Sequence, residues 1–189
     1  MGNRLSKLAT KTGDDGTTGI GNNERLTKDS ARIEAIGTID ELNAAIGMTS
    51  SQLTDEKLQA AINEIQHRLF DLGGELAMPG YTLVKEEHLK QLDEWLDDFN
   101  EQLPPLKEFV LPKGNLATTA CHMARTICRR AERRVVTLTH TDEINPLSQK
   151  YLNRLSDLLF VFCRLLARAD HQTEEMWQSR RLQKTTNND

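Results

Sequence analysis

The residues with the clearest chemical potential are five arginines within ten positions, in the stretch 125–134. Arg125, Arg129 and Arg133 recur every fourth residue, so on a helix they lie along one face. Like charges at that spacing destabilise a helix by about 0.2–0.5 kcal/mol per pair unless something neutralises them. Guanidinium groups bind phosphate oxygens two at a time, so a polyphosphate would neutralise this face. A solvated cationic surface, or a strip of ion pairs between subunits, is the alternative interpretation.

A second candidate is the opening loop at 10–21, which contains four glycines, four threonines and one lysine. Glycine lets the backbone approach a ligand closely, and backbone N–H groups, threonine hydroxyls and Lys11 all donate to phosphate. The loop is not a Walker A motif. Gly16 and Gly21 have the G-x-x-x-x-G spacing, but Asn22-Asn23 follow where Lys and Ser/Thr are required. From composition alone, a flexible N-terminal arm is an equally good interpretation.

Two further polar groups interrupt apolar helical patterns. Asp40 follows Ile36 by four residues and borders a stripe predicted to be buried, where a carboxylate needs a cationic partner. The stretch 153–157 interrupts a later apolar pattern with four polar side chains, Asn153, Arg154, Ser156 and Asp157. These groups indicate a site or an interface, although simple hydration of Asp40 at the surface stays open.

The sequence has no metal-binding pattern. Its five histidines lack the H-E-x-x-H spacing, and we expect each of them at the surface or at a helix end. Cys121, Cys128 and Cys163 are too far apart for a C-x-x-C motif, and we expect them to be reduced thiols in the core. We therefore predict that no protein side chains form a metal site.

Five helices are predicted to position these groups. The first is capped at 29–30 and runs to about residue 52, the second starts at 54 and ends at 78–80, and the others span about 85–102, 116–139 and 146–176. Small residues at 117, 120, 124, 128 and 131 predict close packing of the fourth helix, which would make its arginines a partly buried cationic wall. With short connections and no predicted strand, the fold class is an all-α, five-helix up-and-down bundle, and the N-terminal Gly/Thr-rich loop is its candidate nucleotide-binding loop. We predict one domain over 1–189, comprising that loop at 1–28, the bundle at 29–176 and a flexible polar tail at 177–189.

The composition limits the class of function. With 38% hydrophobic and 28% charged residues the chain can form a compact core. A net charge of −4 argues against nucleic acid as a partner. No apolar run approaches the ~18 residues of a membrane span, and the N-terminus lacks a signal-peptide pattern. We therefore expect a cytoplasmic protein that binds small molecules.

Taken together, the motifs resemble those of the PduO-type ATP:cob(I)alamin adenosyltransferases. Five matching segments occur in the family's order and spread from residue 10 to about residue 168: Thr10–Gly16, Gly37–Asn43, Phe109–Pro112, Arg125–Arg133 and Asn153–Asp157. Each segment is a weak signal by itself. Five in the same order are specific.

The resemblance implies an enzyme that transfers the 5′-deoxyadenosyl group of ATP to the cobalt of a reduced corrinoid, with ATP, Mg²⁺ and cobalamin as its small molecules. It implies a homotrimer with active sites between subunits. The implied catalytic residues are Lys11, Asp40, Phe109, Arg125 and Arg129, with Asp40 paired to Arg125 across the interface and Phe109 against the lower face of the corrin. The implied ATP-binding residues are Thr10, Lys11, Thr12, Gly13, Thr18, Gly19, Lys28, Arg129, Arg130, Glu132, Arg133 and Asn153.

Two departures from the family pattern are small: Lys113 stands where a small residue is common, and Asp15 where a lysine is common. A non-catalytic carrier of adenosylcobalamin is the main alternative function. A purely structural bundle is a second one, although it leaves the Gly/Thr-rich loop without a role. A cob(II)alamin reductase and an adenosylcobalamin-dependent enzyme are the expected protein partners.

Overall fold

Five α-helices make up most of the chain in the computed structural model, which describes residues 11–169 and 173–178. The helices are α1 Ala31–Ser50, α2 Glu56–Ala77, α3 Glu86–Asn100, α4 Leu116–Leu138 and α5 Pro146–Arg168. The predicted helical bundle is confirmed, and its first four helices agree with the predicted spans to within two residues.

Local sequence explains where three of the helices begin. Asp55, Asn115 and Asn145 are the N-cap residues of α2, α4 and α5, and the side chain of each accepts a hydrogen bond from a backbone N–H two or three residues further on. Pro146 follows as the first residue of α5, where its missing N–H costs nothing.

The pair α1 and α4 forms the centre of the bundle. α1 packs against α2 and α4, α4 packs against α5, and α5 packs against α3. Leucine, isoleucine and alanine side chains from all five helices build one core, in which Phe99 and Phe162 meet edge to face with ring centroids 5.2 Å apart. The predicted core position of the cysteines is confirmed: Cys121, Cys128 and Cys163 are all buried and free. Burial raises the pKa of the Cys128 thiol, which makes that thiol unreactive at neutral pH.

A short ribbon precedes the bundle. β1 (Thr17–Gly19) and β2 (Arg25–Thr27) pair antiparallel, and the N–H of Gly21 between them donates to the carbonyl of Ala77 at the end of α2 (2.8 Å). Beside this contact the first turn of α1 is fixed by Arg32, which is 7% exposed and donates to the carbonyl of Leu76 and to the carboxylate of Asp142. The ribbon is therefore attached to the end of the bundle where α1 begins.

The structure corrects three sequence predictions. The expectation of no strand is wrong, because the ribbon pairs three residues on each side, too few to give an alternating pattern. α5 ends at Arg168 instead of continuing to 176, and Val110 pairs with Met176 in an antiparallel bridge. His122 is 4% exposed, so its predicted surface position is wrong as well. The predicted flexible tail at 177–189 stays a prediction, since positions 179–189 lie outside the described residues; at its beginning Trp177 packs against Phe109.

Within the described part of the chain, no helix combines the length and the apolar content needed to cross a membrane.

Candidate active site

The arginines of α4 divide into two groups. Arg130 and Arg134 point toward α1 and form ion pairs with Glu41 and Glu34. Arg129 and Arg133 are exposed, and neither has an ion pair or a hydrogen bond through its side chain within the described residues. The prediction of a partly buried cationic wall is thus only half correct, because Arg129 and Arg133, whose guanidinium groups are free to bind an anion, lie at the surface.

Arg125 continues this second group into the bundle. It is half-buried, and its guanidinium lies over the ring of Phe160 on α5, with 5.7 Å from Cζ to the ring centroid. Its Nε is buried without a hydrogen-bond partner among the described residues. A buried guanidinium N–H without an acceptor is costly, so this atom points to a partner beyond those residues.

A cavity of about 600 Å³ lies beside Arg125 and Arg129. Its wall is formed by the stretch 106–110, by these two arginines, and by Ser156, Asp157 and Phe160 of α5. Three segments that sequence analysis singled out separately therefore meet in one place: the Phe109 loop, the arginine helix and the polar stretch 153–157. Phe109 stands at this cavity with 75% of its surface exposed.

Asn153 and Glu132 lie next to this group, on α5 and α4. The Nδ2 of Asn153 donates to Oε1 of Glu132 at 3.2 Å, and the backbone carbonyl of Asn153 accepts from the hydroxyl of Ser156 at 2.9 Å. Glu132 is thus held by α5 and does not pair with the neighbouring arginines. This bond leaves Arg129 and Arg133 available to a ligand.

The Gly/Thr-rich loop has a defined conformation over its described part. The carboxylate of Asp15 accepts from the hydroxyl and the N–H of Thr17 (2.7 and 2.9 Å), and these hydrogen bonds lower the pKa of Asp15. Arg25 donates to the carbonyl of Thr12, and the Nζ of Lys28 donates to the carbonyl of Gly13 at 2.8 Å. Side chains at and just after β2 therefore hold the loop backbone, while Lys11 is exposed.

Positive φ angles occur at two positions of this loop. Gly16 has φ 82°, which only glycine adopts without strain, and Lys11 has φ 60°. Of the other predicted loop residues, Thr18 and Gly19 lie in β1, and Thr10 lies outside the described residues.

Asp40 and Arg125 do not form an ion pair within one chain. Asp40 is exposed on α1, and the pair between subunits stays a prediction. No group of three or more His, Cys, Asp or Glu side chains among the described residues is arranged to hold a metal ion.

Sequence analysis missed the residues that follow α5. The N–H of Trp177 donates to the carbonyl of Phe109 (2.7 Å), and the N–H of Leu111 donates to the carbonyl of Glu175 (2.8 Å). The rings of Phe109 and Trp177 lie 6.3 Å apart at 65°. One signal was available: Trp177 is one of only two tryptophans and stands in a polar stretch, away from any predicted core.

Known proteins resemble this chain over most of its length. The sequence profile of the cobalamin adenosyltransferase family matches residues 8–166. A cobalamin adenosyltransferase from Cupriavidus metallidurans is 52% identical over 182 residues, which are 96% of this chain and 99% of that protein. A corrinoid adenosyltransferase from Bacillus subtilis is 46% identical over 168 residues, covering 85% and 86% of the two chains.

Solved structures of a PduO-type ATP:corrinoid adenosyltransferase from Lactobacillus reuteri have the same fold. A phenylalanine-to-histidine variant complexed with cobalamin and ATP gives a TM-score of 0.87 at 35% identity, covering 92% of this chain and 97% of that one. An arginine-to-lysine variant complexed with ATP gives 0.86 at 35% identity, covering 90% and 100%. The chain therefore belongs to the PduO-type cobalamin adenosyltransferase family.

Proposed function

We propose that this protein transfers the 5′-deoxyadenosyl group of ATP to the cobalt of cob(I)alamin, giving adenosylcobalamin and inorganic triphosphate. One observation carries the proposal: the exposed ring of Phe109 and the two arginines Arg125 and Arg129 line the same cavity. An apolar surface suits the flat face of a corrin, and a cationic surface suits a polyphosphate.

The corrinoid side of the site is assigned to Phe109. Its ring is 75% exposed, which is costly in water unless a ligand covers it. Against the lower face of the corrin, the ring displaces the axial base of cobalamin. In the Lactobacillus reuteri structures the replaced phenylalanine and arginine lie twenty positions apart, as Phe109 and Arg129 do in this chain. This matching spacing supports Phe109 and Arg129 as the corresponding positions of this chain.

The triphosphate side is assigned to Arg129, Arg133 and the loop around Lys11. The side chains of Arg129 and Arg133 are exposed to solvent, and neither has a partner among the described residues. Lys28 and Arg25 hold the carbonyls of Gly13 and Thr12, which orders the loop backbone next to Lys11, the exposed side chain that we assign to the phosphates. Arg130, Glu132 and Asn153 support this surface through their contacts with α1 and with each other.

The protein's chemical task is positioning and charge stabilisation. Cobalt(I) is a strong nucleophile and attacks C5′ of ATP without a general base, and the C5′–O bond breaks as triphosphate leaves. Lys11 and Arg129 stabilise the negative charge that develops on the leaving group. Dry apolar contact at Phe109 favours cobalt without its lower ligand and so makes cobalt(II) easier to reduce.

Mg²⁺ fits this site as an ion that arrives with ATP. Among the described residues no cluster of three ligating side chains is available, and Mg²⁺ commonly binds through one or two carboxylates together with substrate phosphates. Asp14 is exposed in the loop and is the carboxylate we assign to it, since Asp15 is occupied by Thr17. Mg²⁺ supplies further positive charge to the triphosphate.

A homotrimer with active sites between subunits explains two features of the single chain. The Nε of Arg125 is buried without a partner, while Asp40 is exposed on another helix. The Lys11 loop sits at the beginning of α1, near Arg134, nine residues and about 14 Å along α4 from Arg125. A neighbouring chain that supplies Asp40 and the Lys11 loop completes both. We propose the cytoplasm as the location of the protein, and a cob(II)alamin reductase and an adenosylcobalamin-dependent enzyme as its protein partners.

The proposal is tested by an anaerobic assay with chemically reduced cobalamin, ATP and Mg²⁺. The absorbance of cobalt(I) is followed and the products are separated by chromatography. We expect adenosylcobalamin and triphosphate in equal amounts. Tight adenosylcobalamin binding with intact ATP would instead establish the carrier function, and neither turnover nor binding would refute both.

The role of Phe109 is tested by comparing two starting states of the cobalt. Phe109→Ala is expected to slow the reaction from cobalt(II) far more than the reaction from pre-reduced cobalt(I). Tyr81→Ala is the matched control, because Tyr81 is also exposed (58%) but lies between α2 and α3, away from the cavity. Equal losses from both starting states would refute this role.

A further inference from the structure

The segment 173–178 pairs with the loop that carries Phe109 through a β-bridge and backbone hydrogen bonds. Val110 and Met176 form an antiparallel bridge, so Phe109 stands directly opposite Trp177. Two backbone hydrogen bonds close the bridge on either side, one from the N–H of Trp177 and one from that of Leu111.

A buried ion pair fastens this segment to the bundle. Glu174 accepts from the Nε of Arg164 (2.5 Å) and the Nη1 of Arg168 (2.8 Å), and the side chains of Glu174 and Arg164 are 1% and 5% exposed. The Nη2 of Arg164 also donates to the carbonyl of Pro104, five residues before Phe109. One guanidinium group therefore fixes both the segment that carries Trp177 and the beginning of the stretch that carries Phe109.

The two rings meet edge to face at the surface. Phe109 is 75% exposed and Trp177 is 46% exposed, so Phe109 has little other protein around it to fix its orientation. An edge-to-face contact is the arrangement that aromatic pairs favour. The indole is the more constrained partner, because it is less exposed than the phenylalanine ring and its segment is fixed by the buried Glu174.

We propose that Trp177 is a positioning residue for Phe109: it holds the phenylalanine ring at the cavity in the orientation that meets the corrinoid. The inference rests on the proposed function and adds to it a residue in the segment after α5. It predicts that Trp177 acts through Phe109, and that its effect is confined to the steps that need the lower face of the corrin.

The test is a double-mutant cycle with Trp177→Ala, Phe109→Ala and the double variant. Trp177→Ala is expected to lower kcat from cobalt(II) roughly threefold to tenfold, the size of one lost aromatic pair, and to leave the KM for ATP unchanged. The double variant should be no slower than Phe109→Ala alone, because Trp177 then has no ring to position. Trp177→Phe should restore most of the rate.

A second readout needs no turnover. The absorption spectrum of protein-bound cob(II)alamin reports how much of the cofactor has lost its lower axial base, and Trp177→Ala should reduce that fraction. Tyr81→Ala, an exposed aromatic in the α2–α3 connection, should change neither readout.

The outcomes separate the inference from the proposed function. A wild-type protein that turns over, with Trp177→Ala matching it in rate and spectrum, would overturn the inference alone. So would a double variant whose loss equals the product of the two single losses. A wild-type protein that neither turns over nor displaces the axial base would overturn the proposed function, and the inference with it.

Discussion

Replacing Glu174 with glutamine should release the segment 173–178 while the five helices stay folded. The carboxylate is 1% exposed and accepts hydrogen bonds from two arginines. A buried charge that loses its partner costs about 3–5 kcal/mol. In the variant Arg164 becomes such a charge unless the segment moves away and admits water.

The remaining attachments of the segment are of similar size. Two backbone hydrogen bonds contribute about 0.5–1.5 kcal/mol each. The Phe109–Trp177 contact contributes about 0.5–1.5 kcal/mol. The surface pair of Lys113 with Glu175 contributes at most about 1 kcal/mol. Since these contributions together roughly equal the cost at Arg164, the detached state becomes populated. Because the attached and detached states of the variant then have similar free energies, the free energy of global unfolding falls by most of the cost at Arg164, about 3 kcal/mol.

Hydrogen–deuterium exchange measured by mass spectrometry checks this. The amides of Leu111 and Trp177, which close the bridge, should exchange about 100-fold faster, since 1.4 kcal/mol corresponds to a factor of ten. Glu175→Gln is the matched control, because its exposed pair with Lys113 contributes little and exchange should hardly change. Unchanged exchange in Glu174→Gln, or a uniform increase across all helices, would refute the reasoning.

Three further predictions concern separate parts of the molecule. Arg129→Ala should lower turnover at least tenfold, yet it should change the free energy of unfolding by less than about 0.5 kcal/mol, because this guanidinium is exposed and unpaired within the described chain. Steady-state kinetics measures the loss of turnover, and urea denaturation measures the free energy of unfolding. Asp142→Asn should destabilise the protein by about 1–2 kcal/mol at pH 7, since its carboxylate pairs with buried Arg32. Hydrogen bonds from Thr141 and Arg32 lower the pKa of Asp142. The stability that its carboxylate contributes is therefore present above the unfolded pKa of about 3.9 and is lost as the pH falls through the folded pKa. Urea denaturation between pH 3 and 7 should show the difference in unfolding free energy between the two proteins shrinking as the pH falls. Gly21→Ala should loosen the ribbon, because a Cβ there would come within 2.4 Å of a side-chain carbon at the end of α2, and proteolysis of the loop should become faster.

Each of these predictions has a result that would contradict it. A large stability loss in Arg129→Ala would mean that the side chain has an internal role. A stability difference at Asp142 that does not shrink between pH 7 and pH 3 would mean that its charge is not the cause. For Gly21→Ala the matched control is Gly73→Ala, whose added Cβ meets nothing within 4 Å; equal proteolysis of the two variants would contradict the predicted contact.

The sequence predicted the helices well because their stabilisation is local and periodic. α4, for example, has apolar and small residues on one side, charges on the other and an Asn cap, and its predicted and observed bounds differ by one residue. The end of α5 was missed because no glycine or proline follows Arg168, and the pairing of Met176 with Val110 depends on a contact distant in sequence. The ribbon was missed because strands of three residues are too short to show alternation.

The candidate site was predicted in part for the same physical reasons. Phe109, Arg129 and Asp157 belong to motifs with recognisable residue types, and the structure places all three around one cavity. Glu174 and Trp177 belong to no motif, and their importance comes from burial and from a cross-strand partner. The unpartnered Nε of Arg125 could not be predicted, since spacing says nothing about the acceptors near one atom.

The central pairing of α1 with α4 has a consequence for the order in which the protein acquires its structure during synthesis. α1 is complete at Ser50, whereas α4 begins only at Leu116. The side of α1 that carries Glu34 and Glu41 therefore has no neighbour until Arg134 and Arg130 have left the ribosome. Contacts so distant in sequence form slowly and leave apolar surface open to aggregation in the meantime. A nascent chain of this protein thus carries an unfinished core for most of its translation, and a helper that shields α1 at that stage should raise its yield.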